Sequence, residues 1–269
     1  MLTPAALTRR SVLLGGAGAA AAAMAGCGAS SHAAQSRPRV PTVAVSWDGG
    51  WQTVHSTALP ILQEHGMVAT VYVTTWFVSR RANPLVPQPA LTWDQVEDLA
   101  GAGWEISNHT RTHPRLSDVS ATRLEHEVLG AKQDLVDRGF AAPGFAYPFS
   151  HEDPRAAAVV AANHWYARGG HQHGDSIPPI HDPGLLYLIP ISNMANLTAA
   201  QLIEQTKTRC LDGGHDLAWL AHIVGPPVKN LAVPEDALRG YAAWLAEQRA
   251  AGRLQLGTVD QLVRRNVLA

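Results

Sequence analysis

From residue 41 onward, short runs rich in β-branched and aromatic residues alternate with longer amphipathic stretches. Eight runs read as strands: 42–48, 68–75, 104–109, 145–149, 164–168, 186–191, 216–223 and 254–259. Between them, 56–65, 92–102, 120–138, 154–163, 198–210 and 234–251 read as helices. The clearest is 120–138, with Leu124, Val128, Leu135 and Val136 at helical spacing and Ser120 placed to cap it. Strand and helix in alternation imply a mainly parallel sheet. About seven to eight strands predict an α/β fold, a distorted (β/α) barrel. Chemistry in such barrels sits where strands end and loops begin. Asp48, His109 and His222 fall at such ends, and Tyr147-Pro148-Phe149 lies near another. Residues 79–90 and 169–185, rich in Pro, Gly and His, read as long loops.

The first forty residues have a different pattern. Arg9 and Arg10 precede an uncharged Ala/Gly-rich stretch, the order of a bacterial export signal of twin-arginine type. Met24-Ala25-Gly26-Cys27 resembles a lipobox, which makes residues 1–26 a removable signal and Cys27 a lipidation site. Residues 27–40 then read as a flexible tether and 41–269 as one barrel domain. Acyl chains on Cys27 would hold the chain at the outer face of the bacterial membrane, with no spanning helix, because the apolar run is short.

Composition narrows the classes. The chain has 269 residues, 21 basic against 22 acidic, and no basic stripe that would suit nucleic acid. Of its two cysteines, Cys27 is assigned to processing and Cys210 falls in a helical pattern, so an internal disulfide is not expected. No Gly-x-Ser-x-Gly elbow supports a serine hydrolase. Thirteen histidines are many, and they cluster in mid-chain.

His109 and His113, four apart, would share one face of a helical turn and could reach one cation at about 2.0–2.1 Å. Such a pair alone is weak among so many histidines. Its setting is specific: residues 91–114, LTWDQVEDLAGAGWEISNHTRTHP, read as helix, Gly turn, strand and histidine pair. This segment resembles the second motif of the polysaccharide deacetylases, carbohydrate esterase family four. The resemblance implies that His109 and His113 hold a divalent metal, zinc by the nature of the ligands, with cobalt or nickel as alternatives.

The rest of the family pattern follows with departures. Ser46-Trp47-Asp48-Gly49-Gly50-Trp51 resembles the first motif, which makes Asp48 the general base, but Gly49 stands where the family has a metal-binding aspartate. Asp48 could turn inward as third ligand. Alternatively His151, His171, His173, Asp175 or water could fill the corner, or the site could be metal-poor. Gly144-Phe145-Ala146-Tyr147-Pro148-Phe149-Ser150 resembles the third motif, implying that Tyr147, Pro148 and Phe149, with Trp51, shape a substrate groove. Ser150 replaces a glycine there. Ala146 stands where other members carry an arginine that orients the catalytic aspartate, a partner this sequence lacks. Leu217-Ala218-Trp219-Leu220-Ala221-His222 resembles the last motif, in which the histidine is the general acid. The aspartate that tunes this histidine in the family has no clear counterpart here, Asp212 and Asp216 being unassigned candidates.

By this resemblance the chain is expected to be a monomeric, metal-dependent hydrolase that removes N-acetyl groups from a cell-envelope polysaccharide, cleaving C–N bonds. Two alternatives remain: a catalytically degenerate carbohydrate-binding surface lipoprotein, and a hydrolase of a non-sugar amide.

Overall fold

The computed structural model describes residues 39–79, 88–151, 154–169, 187–189 and 191–267. The export signal, Cys27, most of the tether, and His171, His173 and Asp175 lie outside the described residues. The strands are β1 (Thr42–Asp48), β2 (Thr70–Val73), β3 (Glu105–Asn108), β4 (Gly144–Ala146), β5 (Tyr166–Arg168), β6 (Tyr187–Ile189), β7 (Ser192–Asn193), β8 (Leu217–Ala221), β9 (Ile223–Val224), β10 (Ala232–Val233) and β11 (Gln255–Gly257). The α-helices are α1 (Leu59–Gln63), α2 (Trp93–Gly101), α3 (Ala121–Val136), α4 (Pro154–Ala161), α5 (Ala199–Thr206), α6 (Glu235–Ala250) and α7 (Val259–Val267).

Nine strands form one sheet in the order β6-β5-β4-β3-β2-β1-β8-β7, and β11 pairs with the first half of β1 below β2. Every pairing in it is parallel. This is the distorted (β/α) barrel expected. Among the described residues no pairing joins β6 to β7, so the sheet curls without closing. A separate parallel pair, β9–β10, follows His222.

Alternation along β1 sets two environments, because successive strand side chains point to opposite faces. Val43, Val45 and Trp47 join the helix-facing core, where Trp47 stacks on Trp104 at 5.3 Å. Ala44 belongs to the inner cluster with Tyr72, Ala146, Tyr166 and Ala218. Asp48 shares the face of Ala44 and so reaches the inside at the strand's C-terminal end.

The helices begin where hydroxyl residues supply acceptors for free backbone N–H groups. Thr92 and Gln95 form a capping box on α2, Thr198 and Gln201 another on α5, and Ser120 Oγ accepts from Arg123 N at the start of α3. At the barrel's lower end, Asp216 accepts from Thr42 N at 2.6 Å and from Asn266 Nδ2 at 2.7 Å, and pairs with Arg39. It is therefore a structural pin remote from His222, and Asp212 is exposed. Neither tunes the histidine.

Three sequence expectations are corrected. The 145–149 run stops being a strand at Ala146, because Phe149 (φ 59°) and Ser150 (φ 51°) turn into left-handed conformations. The 254–259 run ends at Gly257, and α7 begins at Val259. The histidine pair is not on a helical turn. Thr110 (φ 65°) and His113 (φ 60°) are left-handed, and the segment is an irregular loop. Among the described residues, no helix is long and apolar enough to cross a membrane.

Candidate active site

One cavity of about 360 Å³ opens at the C-terminal ends of β1, β3 and β8, lined by Asp48, Gly49, Trp51, His109, His113, Phe149 and His222 among others. All four residues assigned chemistry from the sequence therefore converge. Phe149, half exposed, forms part of the wall and meets the His113 ring edge-on at 4.7 Å. Tyr147 and Pro148 are buried and are not among the lining residues. His151 is exposed and does not line the cavity either.

The histidine loop is held by neighbours. Asn108 Oδ1 accepts from Thr110 N at 2.8 Å, and Thr110 Oγ1 accepts from His113 N at 3.0 Å. Glu127 on α3 takes both Thr112 N (2.8 Å) and Thr112 Oγ1 (2.6 Å). Arg111 forks onto Asp134 at 2.6 and 2.9 Å. These bonds do what a helical turn was expected to do: the two imidazoles stand with ring centroids 4.7 Å apart. Left-handed non-glycine residues cost about 1–3 kcal/mol each. Four of them, His113, Phe149, Ser150 and Lys229, line the cavity.

Asp48 is 5% exposed and faces two partners. Its Oδ1 pairs with the Arg168 guanidinium, and its Oδ2 lies 3.9 Å from His109 Nε2. Burial pushes the Asp48 carboxyl up, but Arg168, His109 and His222 outweigh it, so its pKa lies below the ordinary value and it stays ionised. Arg168 ends β5, two residues beyond Tyr166 on the same inner face, and its guanidinium lies 4.6 Å from the centroid of the Tyr72 ring. Tyr72 and Tyr166 share a hydroxyl contact at 3.0 Å, and Tyr166 donates to Glu105. Glu105 also accepts from Thr70, Ser107 and the backbone of Asp260. A buried polar chain thus runs from Asp48 through the barrel to the start of α7.

The sequence reading placed no partner for Asp48, and Arg168 corrects it. The aspartate's arginine comes from β5 rather than from the position of Ala146 on β4. A signal was present, a basic residue closing the run His164-Trp165-Tyr166-Ala167-Arg168 at the same rim as Asp48.

His109 Nδ1 donates to Ala146 O at 2.8 Å, which leaves the Nε2 lone pair facing the cavity. Burial lowers the pKa of His109, with Asp48 opposing. His113 is pushed down to about 3 by burial and then by His109, and His222 to about 4 by burial. Neutral imidazoles carry the lone pairs a cation needs. The donor set therefore fits a metal at two corners. Among the described residues no group of three or more His, Cys, Asp or Glu side chains is arranged to hold an ion, and Asp48 is already engaged by Arg168.

A curled parallel barrel with an aspartate and a histidine pair at its mouth agrees with the resemblance to the polysaccharide deacetylases. Residues 35–166 match the family model described as Polysaccharide deacetylase. YxkH of Bacillus subtilis (strain 168), described as a polysaccharide deacetylase, is 25% identical over 104 residues, 39% of this chain and 34% of that protein's own length. Among solved structures, the family 4 carbohydrate esterase from Streptomyces lividans superposes with TM-score 0.52 at 14% identity, over 81% of this chain and 92% of that one. The Xyl-CE4 domain of a multidomain xylanase from the hindgut metagenome of Trinervitermes trinervoides gives 0.55 at 16%, over 84% and 91%. Peptidoglycan deacetylase PdaC from Bacillus subtilis gives 0.51 at 15%, over 85% and 93%. At these identities the structural likeness speaks for the fold.

Proposed function

We propose that this chain is a metal-dependent hydrolase that removes N-acetyl groups from a cell-envelope polysaccharide. The observation that carries the reading is the convergence of Asp48, His109, His113 and His222 on one cavity at the barrel's C-terminal face. His109 and His113 are the residues that would hold a divalent ion, zinc by ligand type. When bound, such an ion supplies Lewis-acid polarisation of the acetyl carbonyl and of water.

The chain's own groups do the rest. Asp48, ionised and fixed by Arg168, accepts the proton of the attacking water. His222, neutral at rest, relays that proton to the departing nitrogen, which restores the Asp48 carboxylate. Water thus divides between acetate, which gains the hydroxyl, and the sugar amine, which gains the proton. Phe149 offers an exposed aromatic face beside the cavity for the sugar ring.

The envelope glycan is favoured by the export pattern around Arg9 and Arg10, by the lipobox ending in Cys27, and by a fold neighbour that is a peptidoglycan deacetylase. On this reading the protein is anchored by lipid at the outer face of the bacterial membrane and acts as a monomer.

A second reading, a carbohydrate-binding lipoprotein without turnover, is favoured by Gly49 in the place of a third metal ligand. His222→Ala separates the two. An enzyme loses acetate release in that variant while still binding N-acetylated glycan. Wild-type protein that binds glycan and releases no acetate with zinc, cobalt or nickel would decide for the lectin-like reading.

A further inference from the structure

The place of the absent second aspartate is not empty. An ideal Cβ on Gly49 would stand 2.8 Å from Trp51 Nε1 and 3.3 Å from Trp51 Cε2. The pyrrole edge of the indole therefore occupies the volume a side chain at position 49 would enter. Gly49 also has φ +90°, which glycine adopts readily and other residues rarely. Glycine and indole form one arrangement, in which a nitrogen donor stands where a carboxylate would otherwise be.

Trp51 is 3% exposed and lines the same cavity as Asp48, His109, His113 and His222. Its Nε1–H is buried without a hydrogen-bond partner. An indole nitrogen is a donor only and cannot ligate a cation. A buried donor left unpaired costs about 1–3 kcal/mol, a cost relieved when a ligand brings an acceptor. Trp47 and Trp104 also carry unpartnered indole nitrogens, but they stack on each other in the helix-facing core and line no part of the cavity.

The backbone around Trp51 is fixed. Trp51 bridges Ala90, Gln52 N donates to Pro89 O at 2.9 Å, Leu91 N to Gly50 O at 2.8 Å, and Val54 N to Trp51 O at 2.9 Å. A donor held this way needs little reorganisation when charge develops near it.

We propose that Trp51 is a further catalytic residue, its Nε1–H donating to the acetyl carbonyl oxygen and to the oxyanion that this oxygen becomes. The inference rests on the deacetylase reading above. When water adds, its oxygen bonds to the carbonyl carbon and the π pair moves onto the carbonyl oxygen, where the indole hydrogen bond strengthens. When the pair returns, the C–N bond breaks and the nitrogen leaves with the proton that His222 relays from Asp48. The indole keeps its own proton throughout. In this chain a hydrogen-bond donor takes over part of the charge stabilisation forgone with the third metal ligand.

The test is a titration of the zinc-loaded protein with acetate, followed in the ¹H–¹⁵N spectrum of its indole groups. The Trp51 signal is assigned from Trp51→Phe, or from through-space contacts to the Gly49 α-protons should that variant not fold. Acetate should move the Trp51 indole proton downfield together with the ring signals of His109 and His113. Trp51→Phe should lower kcat by about 10²-fold, with KM changed far less. Histidine signals that shift while the indole stays in place would overturn the role of Trp51 alone, as would wild-type kcat in Trp51→Phe. Acetate that moves neither set would overturn the deacetylase reading and this inference with it.

Discussion

Asp48 illustrates how single residues decide this site. Its carboxylate is buried and survives as an anion because Arg168 faces it. Removing one partner of a buried pair leaves an uncompensated charge and typically costs about 3–5 kcal/mol. Arg168→Leu should therefore lower the urea-unfolding free energy by about that much. Combining it with Asp48→Asn should recover part of the loss, and additive effects would show that the pair is not coupled. Gly49→Asp, the change that restores the family's usual residue, should destabilise by about 1–3 kcal/mol through its left-handed backbone. It should not raise zinc affinity, because Trp51 fills the space. His164 is a separate case. Its ring is 3% exposed, accepts at Nε2 from Asn108 Nδ2 at 3.1 Å, and has a pKa pushed down by burial to about 3. The unfolded chain protonates this group near pH 6.5, so it binds more protons than the folded chain between pH 6.5 and about 3. Stability thus falls as pH drops through that window, by up to about 1.4 kcal/mol per unit from this residue. In His164→Gln the slope measured by urea unfolding should be shallower by that share, whereas an unchanged slope would contradict the burial argument.

At the scale of elements, the site depends on a loop whose conformation its sequence period concealed. The four-residue spacing of His109 and His113 suggested a helical turn, yet the pair meets through left-handed residues at 110 and 113 and through bonds to α3. Glu127 is 1% exposed and holds both polar groups of Thr112. Groups that orient ligands without touching the metal commonly contribute 10–100-fold to affinity. Glu127→Ala should weaken zinc binding, read by calorimetry, by about that factor. Equal affinity in the variant would show that the loop holds its shape without α3. The sequence made the histidines legible as a pair and left the loop's support hidden, because Asn108, Glu127 and Asp134 read there as ordinary polar positions on a strand and a helix. Arg168 was hidden for a related reason. Its partner lies 120 positions away, and nothing in a local pattern links β5 to β1.

For the whole molecule, strand and helix in alternation revealed the parallel barrel, and β1 ends where its apolar run ends. The pieces that escaped were too short to show a period: β7, β9 and β10 have two residues each, and the β9–β10 pair forms only after His222. Strand pairing also exposes a long-range connection that composition cannot show. The polar chain Asp48–Arg168–Tyr72–Tyr166–Glu105 ties the cavity end of β1 to the start of α7. The departures from the family pattern are likewise coherent at this scale. Arg168 from β5 faces Asp48, where the resemblance led to an arginine at the position of Ala146, and the indole of Trp51 stands beside Gly49.

Acetate release from an N-acetylated glycan, measured with the chain first stripped by chelator and then reloaded with zinc, puts the account to its most direct trial. Release should vanish on stripping, return with zinc, and stay absent in His109→Ala and His113→Ala at any zinc concentration that saturates the wild type. Stripped protein that releases acetate as fast as the reloaded form, or histidine variants that retain wild-type turnover, would contradict it.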